Sequence, residues 1–167
     1  LAFLIHKAMK KRTQIIILVL LLIFGLIQFI RPQRNQQTNL SRYDILHKTD
    51  TEAIVENSLH HACYDCHSNN TVYPWYASIA PVSWMISKHV KHGKKHLNFS
   101  EWILYPKEKQ LHKLDEIVEV LQENDMPPAY YTMLHREARL DETSKQHLLN
   151  WARELKSKIS ASVTQQE

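Results

Sequence analysis

The chain has 167 residues, enough for one domain with extensions. It has only two glycines, which argues against a turn-rich β-sandwich or barrel, and its net charge of +4 is dispersed, with no aromatic-studded basic surface of the kind that binds nucleic acid. The two cysteines fall within one five-residue stretch, so a disulfide framework is excluded.

The first element in chain order is an apolar run from Ile15 to Ile30, IIILVLLLIFGLIQFI, interrupted only by Gln28 and weakened as a helix by Gly25. With Thr13 and Gln14 included, a helix here spans roughly 27 Å, close to the ~30 Å core of a bilayer. Lys7, Lys10, Lys11 and Arg12 precede it and predict an N-terminus on the cytoplasmic side. No small-x-small cleavage site and no lipidation cysteine follow. The expectation is a basic cytoplasmic segment over 1–14 and a single uncleaved transmembrane anchor over 15–30. This places the chain in a bacterial inner membrane with its folded part in the periplasm. The membrane is the expected partner, and redox protein partners stay open.

Residues 31–48 are polar and read as a linker. The folded domain is expected over 49–160, and a polar tail over 161–167. Within the domain, Thr49 or Asp50 caps a helix that carries Val55, Leu59, Ala62 and Cys66 on one face. A second helix opens at Pro81 and runs to His92, with Gly93 as its stop. A third carries Leu111, Leu114, Val118 and Leu121 and ends before Met126-Pro127-Pro128. A fourth starts at Asp141 and carries Leu148, Trp151, Ala152, Leu155 and Ile159. No period-two alternation is sustained anywhere, so the predicted class is all-α, behind the single transmembrane helix.

A haem-attachment pattern stands at Cys63-Tyr64-Asp65-Cys66-His67, which makes the expected fold a cytochrome c-like helical domain around one haem. In a CxxCH pattern, two thiols one helical turn apart can each add to a vinyl group on a haem edge, and the next residue offers an imidazole to the iron. Competing readings are a zinc site built from Cys63, Cys66, His67 and His61, and a dithiol redox pair. Zinc sites commonly use two separated ligand pairs, and redox dithiols sit in a βαβ context that this sequence lacks.

For the sixth iron ligand, Met126 stands in a loop stiffened by two prolines, and methionine–histidine ligation favours electron transfer. The alternative is His89, which shares a helical face with His92 and His96 at i, i+3, i+7 spacing. The interleaved Lys88, Lys91, Lys94 and Lys95 make that face equally readable as a solvated one. His60 and His61 are too close to the motif to reach the opposite haem face. The aromatic residues Tyr73, Trp75, Tyr76, Trp84, Trp102 and Trp151 supply bulk for a pocket.

The stretch CYDCHSNNTVYPWYASIAPVSWMISKHVKHGKKHLNFSEW, with the later NDMPPAYYTMLHREARL and NWAREL, resembles the haem-binding domain family of small bacterial proteins common in Bacteroidetes. The resemblance covers roughly residues 45–155. It implies one covalently bound haem c, with Cys63 and Cys66 as attachment points and His67 as the proximal ligand, often behind an N-terminal membrane segment. Lys94 departs from the arginine expected there, a change that bears on a haem-propionate contact. The leading function is electron transfer. The alternatives are a peroxidase-like haem enzyme and a haem sensor, each needing an open sixth site.

Overall fold

A computed structural model describes residues 2–37, 41–47 and 49–164. Parts of the expected linker (38–40 and 48) and the end of the expected tail (165–167) lie outside the described residues. The fold is all-helical, and the β-type pairing among the described residues is an isolated antiparallel bridge between Gln36 and Asn70. The helices are α1 (Ala2–Ile27), α2 (Ala53–Ala62), α3 (Tyr64–His67), α4 (Val82–His96), α5 (Lys107–Gln122), α6 (Ala129–Leu134) and α7 (Glu142–Thr164). They divide between two compact units. One comprises residues 1–34 and 73–88, and the other 35–72 and 89–167; α4 contributes residues to both.

In the first unit the apolar stretch behaves differently from its sequence reading. Its helix ends at Ile27, not Ile30. Gln28 leaves the helical path, and its side-chain amide pairs with the backbone of Ala80, accepting from Ala80 N at 2.9 Å and donating to Ala80 O at 3.1 Å. The helical apolar part, Ile15–Ile27, is therefore only about 20 Å long at 1.5 Å per residue. Extending it toward the N-terminus takes in Arg12, Lys11 and Lys10. No helix among the described residues is long and apolar enough to cross a membrane. This corrects the transmembrane anchor over 15–30 and, with it, the picture of a cytochrome c-like domain behind a spanning helix. The membrane as a partner falls too, as do the inner-membrane placement with a cytoplasmic N-terminus and the periplasmic side assigned to the folded part. Elsewhere in this unit, Trp84 Nε1 donates to Ile30 O at 2.7 Å and Arg34 donates to Ser78 Oγ at 2.7 Å.

The second unit holds the hydrophobic core. Helix α7 packs on α5 and α2. Val55 and Leu59 of α2, Leu114, Ile117 and Leu121 of α5, and Leu148, Leu149, Trp151 and Ala152 of α7 are buried together with Ile45, Tyr64, Phe99 and Trp102. The stripes read from the sequence supply half of this cluster, because residues three and four apart share a helical face. Asp141 caps α7, its carboxylate accepting from Ser144 N at 2.7 Å.

Helix α5 ends at Gln122, before Met126-Pro127-Pro128 as expected, but its stop is Asn124 and not the prolines. Asn124 adopts a left-handed backbone with φ 60°, Asp125 N donates to Val120 O at 3.0 Å and Asn124 N to Leu121 O at 3.4 Å, the pairing of a Schellman motif with Asn in the place usually taken by glycine. Helix α4 runs through Gly93 and ends at His96. Gly93 is there for proximity, not termination. A Cβ at this position would stand 2.5 Å from the carbonyl oxygen of Cys66 and 3.1 Å from its Cβ.

Two substitutions test this account. Leu114 is fully buried at the centre of the core, so Leu114→Ala is expected to cost about 2–5 kcal/mol, read as a lower denaturation midpoint at unchanged slope. Gly93→Ala, which removes backbone freedom but forces a clash, is expected to destabilise by about 1–3 kcal/mol instead of gaining the usual helix propensity. A Gly93→Ala protein as stable as the parent would show that α4 can back away from Cys66.

Candidate cofactor site

The motif residues sit at a break in the chain path. Helix α2 ends at Ala62, and Cys63 leaves helical geometry (φ −125°, ψ −43°), so the turn Tyr64–His67 starts afresh in its own direction. Cys66 N and His67 N still bond to Cys63 O, at 3.2 and 2.9 Å, which winds the two cysteines and the histidine into one compact turn. Both cysteines are free and half-buried. Burial pushes the Cys63 thiol up to about 12 and the Cys66 thiol up to about 11, with Cys66 and Asp65 respectively adding charge repulsion. The protonated thiol is thus the resting form of each.

His67 is oriented from behind. Its Nδ1 lies 3.0 Å from Leu97 O, just past the end of α4. A carbonyl only accepts, so Nδ1 carries the proton and Nε2 keeps its lone pair. Burial lowers the His67 pKa, outweighing the opposing pull of the Leu97 and Gly93 carbonyls, and keeps the ring neutral. Phe99 stands edge-on to the ring at 6.4 Å and stacks on Tyr64 at 5.4 Å.

The side chains between the cysteines are held from both sides. Tyr64 OH donates to the buried Asp44 at 2.6 Å, and Asp44 also accepts from Ser100 Oγ at 3.1 Å and Leu46 N at 3.0 Å. Asp65 accepts from Tyr131 OH at 2.7 Å and Val72 N at 2.8 Å, while its carbonyl accepts from Thr71 Oγ1 at 2.7 Å. Burial first, and then these carboxylates, push both tyrosine phenols up, so each remains a donor. After His67 the chain is fixed by a buried polar set. Asn98 Nδ2 donates to Asn69 Oδ1 at 2.9 Å, Asn69 N to Ser100 Oγ at 3.1 Å, and Ser100 N to Asn98 Oδ1 at 3.2 Å.

Asp44, Asn69, Asn98 and Ser100 escape the sequence reading. Asp44 falls in the stretch read as a linker, and the others are turn-forming polar residues that look solvent-facing in one dimension. Their one legible signal is the run Ser68-Asn69-Asn70-Thr71 directly behind CxxCH.

The remaining candidates are spread out. Met126 is 40% exposed, in the turn between α5 and α6. His89 is half-buried, with its ring 5.4 Å from that of Tyr130. It separates from the exposed pair His92 and His96, whose rings are 4.6 Å apart. Lys94 donates to Asn35 Oδ1 at 2.6 Å. Of the aromatics, Trp102 and Trp151 are in the core of the second unit, whereas Trp75 and Trp84 are exposed in the first. No group of three or more His, Cys, Asp or Glu side chains among the described residues is arranged to hold a metal ion, which leaves the zinc reading with His61 without support. A cavity of about 380 Å³ lies beside α2, lined by Asn57, His61, Glu137 and Arg139 among others, and does not include the motif turn.

The donor set fits an iron porphyrin. Two neutral thiols on one turn are suited to bonding carbon, and a neutral imidazole protonated at Nδ1 carries on Nε2 the lone pair that iron takes. Backbone packing at Gly93, tighter than a side chain allows, fixes the turn that carries them. No curated protein matches the chain, and no solved structure does. A family model described as a haem-binding domain matches residues 22–154, from within α1 to within α7 and including the whole motif turn. The chain therefore belongs to the haem-binding domain family, and its cofactor is haem.

Proposed function

We propose that the protein is a c-type electron-transfer module carrying one haem, attached through Cys63 and Cys66 and ligated by His67 Nε2. The observation that carries this is the Nδ1-to-Leu97 bond at 3.0 Å, which fixes the histidine tautomer a metal ligand needs, one residue past the second thiol. Cys63 and Cys66 would each supply an S–H for addition across a vinyl C=C, sulfur bonding one carbon and hydrogen the other, with no oxidant consumed. The bound iron supplies one-electron chemistry. The residues around it orient the imidazole, keep it neutral and hold the turn rigid, which limits rearrangement between oxidation states.

Met126 is the proposed sixth ligand, since a thioether raises the potential and closes the site to exogenous ligands. Its 40% exposure is the observation that favours a second reading, an open sixth site suited to a haem enzyme or sensor. His89, half-buried beside Tyr130, is the alternative ligand.

Denatured protein is expected to keep its haem stain on a gel, and Cys63→Ser with Cys66→Ser is expected to lose it. Haem extractable into acidic solvent from the parent protein would refute covalent attachment. Met126→Ala is expected to abolish the weak near-infrared sulfur-to-iron band and lower the reduction potential. If His89→Ala changes the spectrum and Met126→Ala does not, the ligand is His89. If neither changes it and the parent is five-coordinate, the open-site reading replaces electron transfer.

A further inference from the structure

We propose that Tyr131 is a positioning residue for the haem: its hydrogen bond to Asp65 ties α6 to the motif turn and thereby sets access to the sixth coordination position. The inference rests on haem being carried by the Cys63–His67 turn and deepens that reading.

Helix α6 follows directly on Met126-Pro127-Pro128, so its placement decides where that segment lies. Burial holds it only in part: Tyr131 and Thr132 are half-buried, the other residues of the helix are exposed, and Met133 is 67% exposed. The rest is polar. Tyr131 OH donates to Asp65 Oδ2 at 2.7 Å and lies at a much longer 3.5 Å from His61 O, Arg139 Nε donates to Thr132 O at 3.0 Å, and the Tyr131 ring stacks on His135 at 4.3 Å. Of these contacts, the first reaches into the motif turn, between the two cysteines. The Asp65 end is firmly placed, since Val72 N and Thr71 Oγ1 bond to the same residue. A phenol donating to a carboxylate is a charge-assisted bond, stronger than a neutral pair. An element with little buried surface opens at low free energy once such a bond is lost. Tyr130 rides on the same segment, and its ring lies 5.4 Å from that of His89 on α4, so a shift of α6 is felt both at Met126 and at His89.

The test uses the full chain with haem bound and imidazole as the probe. Tyr131→Phe removes one oxygen atom and leaves the stacked ring. It is expected to keep the denaturation-resistant haem stain and to raise imidazole affinity of the ferric protein about tenfold, the scale of one hydrogen bond to a charged group. Asp65→Asn, which retains an acceptor oxygen, is expected to fall between parent and Tyr131→Phe. Asp65→Ala combined with Tyr131→Phe is expected to match Asp65→Ala alone, because the bond to Asp65 is already gone and the 3.5 Å approach to His61 O is too long to replace it. Imidazole affinity unchanged in Tyr131→Phe, or additive effects in the double variant, would overturn the proposal. If Met126→Ala raises imidazole affinity while Tyr131→Phe does not, methionine ligation stands and the role of Tyr131 falls. If the parent shows no denaturation-resistant stain, covalent attachment falls. The same variants titrated with added haem then still decide on Tyr131 by their imidazole affinity.

Discussion

The carbonyl oxygen of Cys66 lies 2.5 Å from where a Cβ on residue 93 would stand, so α4 approaches the motif turn at a distance only glycine permits. The geometry of His67 depends on that approach. One turn further along, α4 ends at His96 and presents the Leu97 carbonyl to Nδ1. A helix standing a side chain's thickness away would leave that proton without its acceptor and the ring free to rotate. Backbone contact on one side of the turn thus becomes tautomer control on the other. The effect is purchased with a glycine inside a helix, a substitution that is otherwise unfavourable by up to about 1 kcal/mol.

A second constraint is electrostatic. Asp44 is almost completely buried, which is costly for a carboxylate unless its oxygens are satisfied. Tyr64, Ser100 and Leu46 N satisfy them, and in doing so they join three separate stretches of chain at the start of the motif. Asp65, one residue later, faces the other way and engages α6 and the loop at 71–72. Two adjacent positions, Tyr64 and Asp65, therefore brace the turn in opposite senses. The variable positions of a CxxCH pattern are structural here, although the pattern itself specifies nothing about them.

Much of the helical core was legible because burial follows periodicity. Leu114, Leu121, Leu148 and Ala152 were read from spacing and are buried. What failed were inferences that gave a residue type its commonest role. Gly93 was read as a helix stop and is a packing residue. The end of α5 before Met126 was read correctly, but its device is the left-handed Asn124 and not Pro127. Gln28 was read as a tolerated blemish in an apolar run, yet its amide substitutes for a peptide group in pairing with Ala80. That pairing removes the last residues from α1 and shortens the run below a bilayer's thickness. In the site, Cys63, Cys66 and His67 were legible because their spacing is chemical. Asp44, Asn98 and Ser100 were not, because their partners are distant in sequence and short polar residues look alike whether they face solvent or one another.

The buried set behind His67 has a consequence for descent. Asn69, Asn98 and Ser100 exchange donors and acceptors in a closed circuit, side chain to side chain and side chain to backbone. Changing one member strands an atom of another inside the fold, where an unmet polar group is costly. A single replacement at any of the three is therefore destabilising until its partners change to match, so the circuit constrains the three positions jointly.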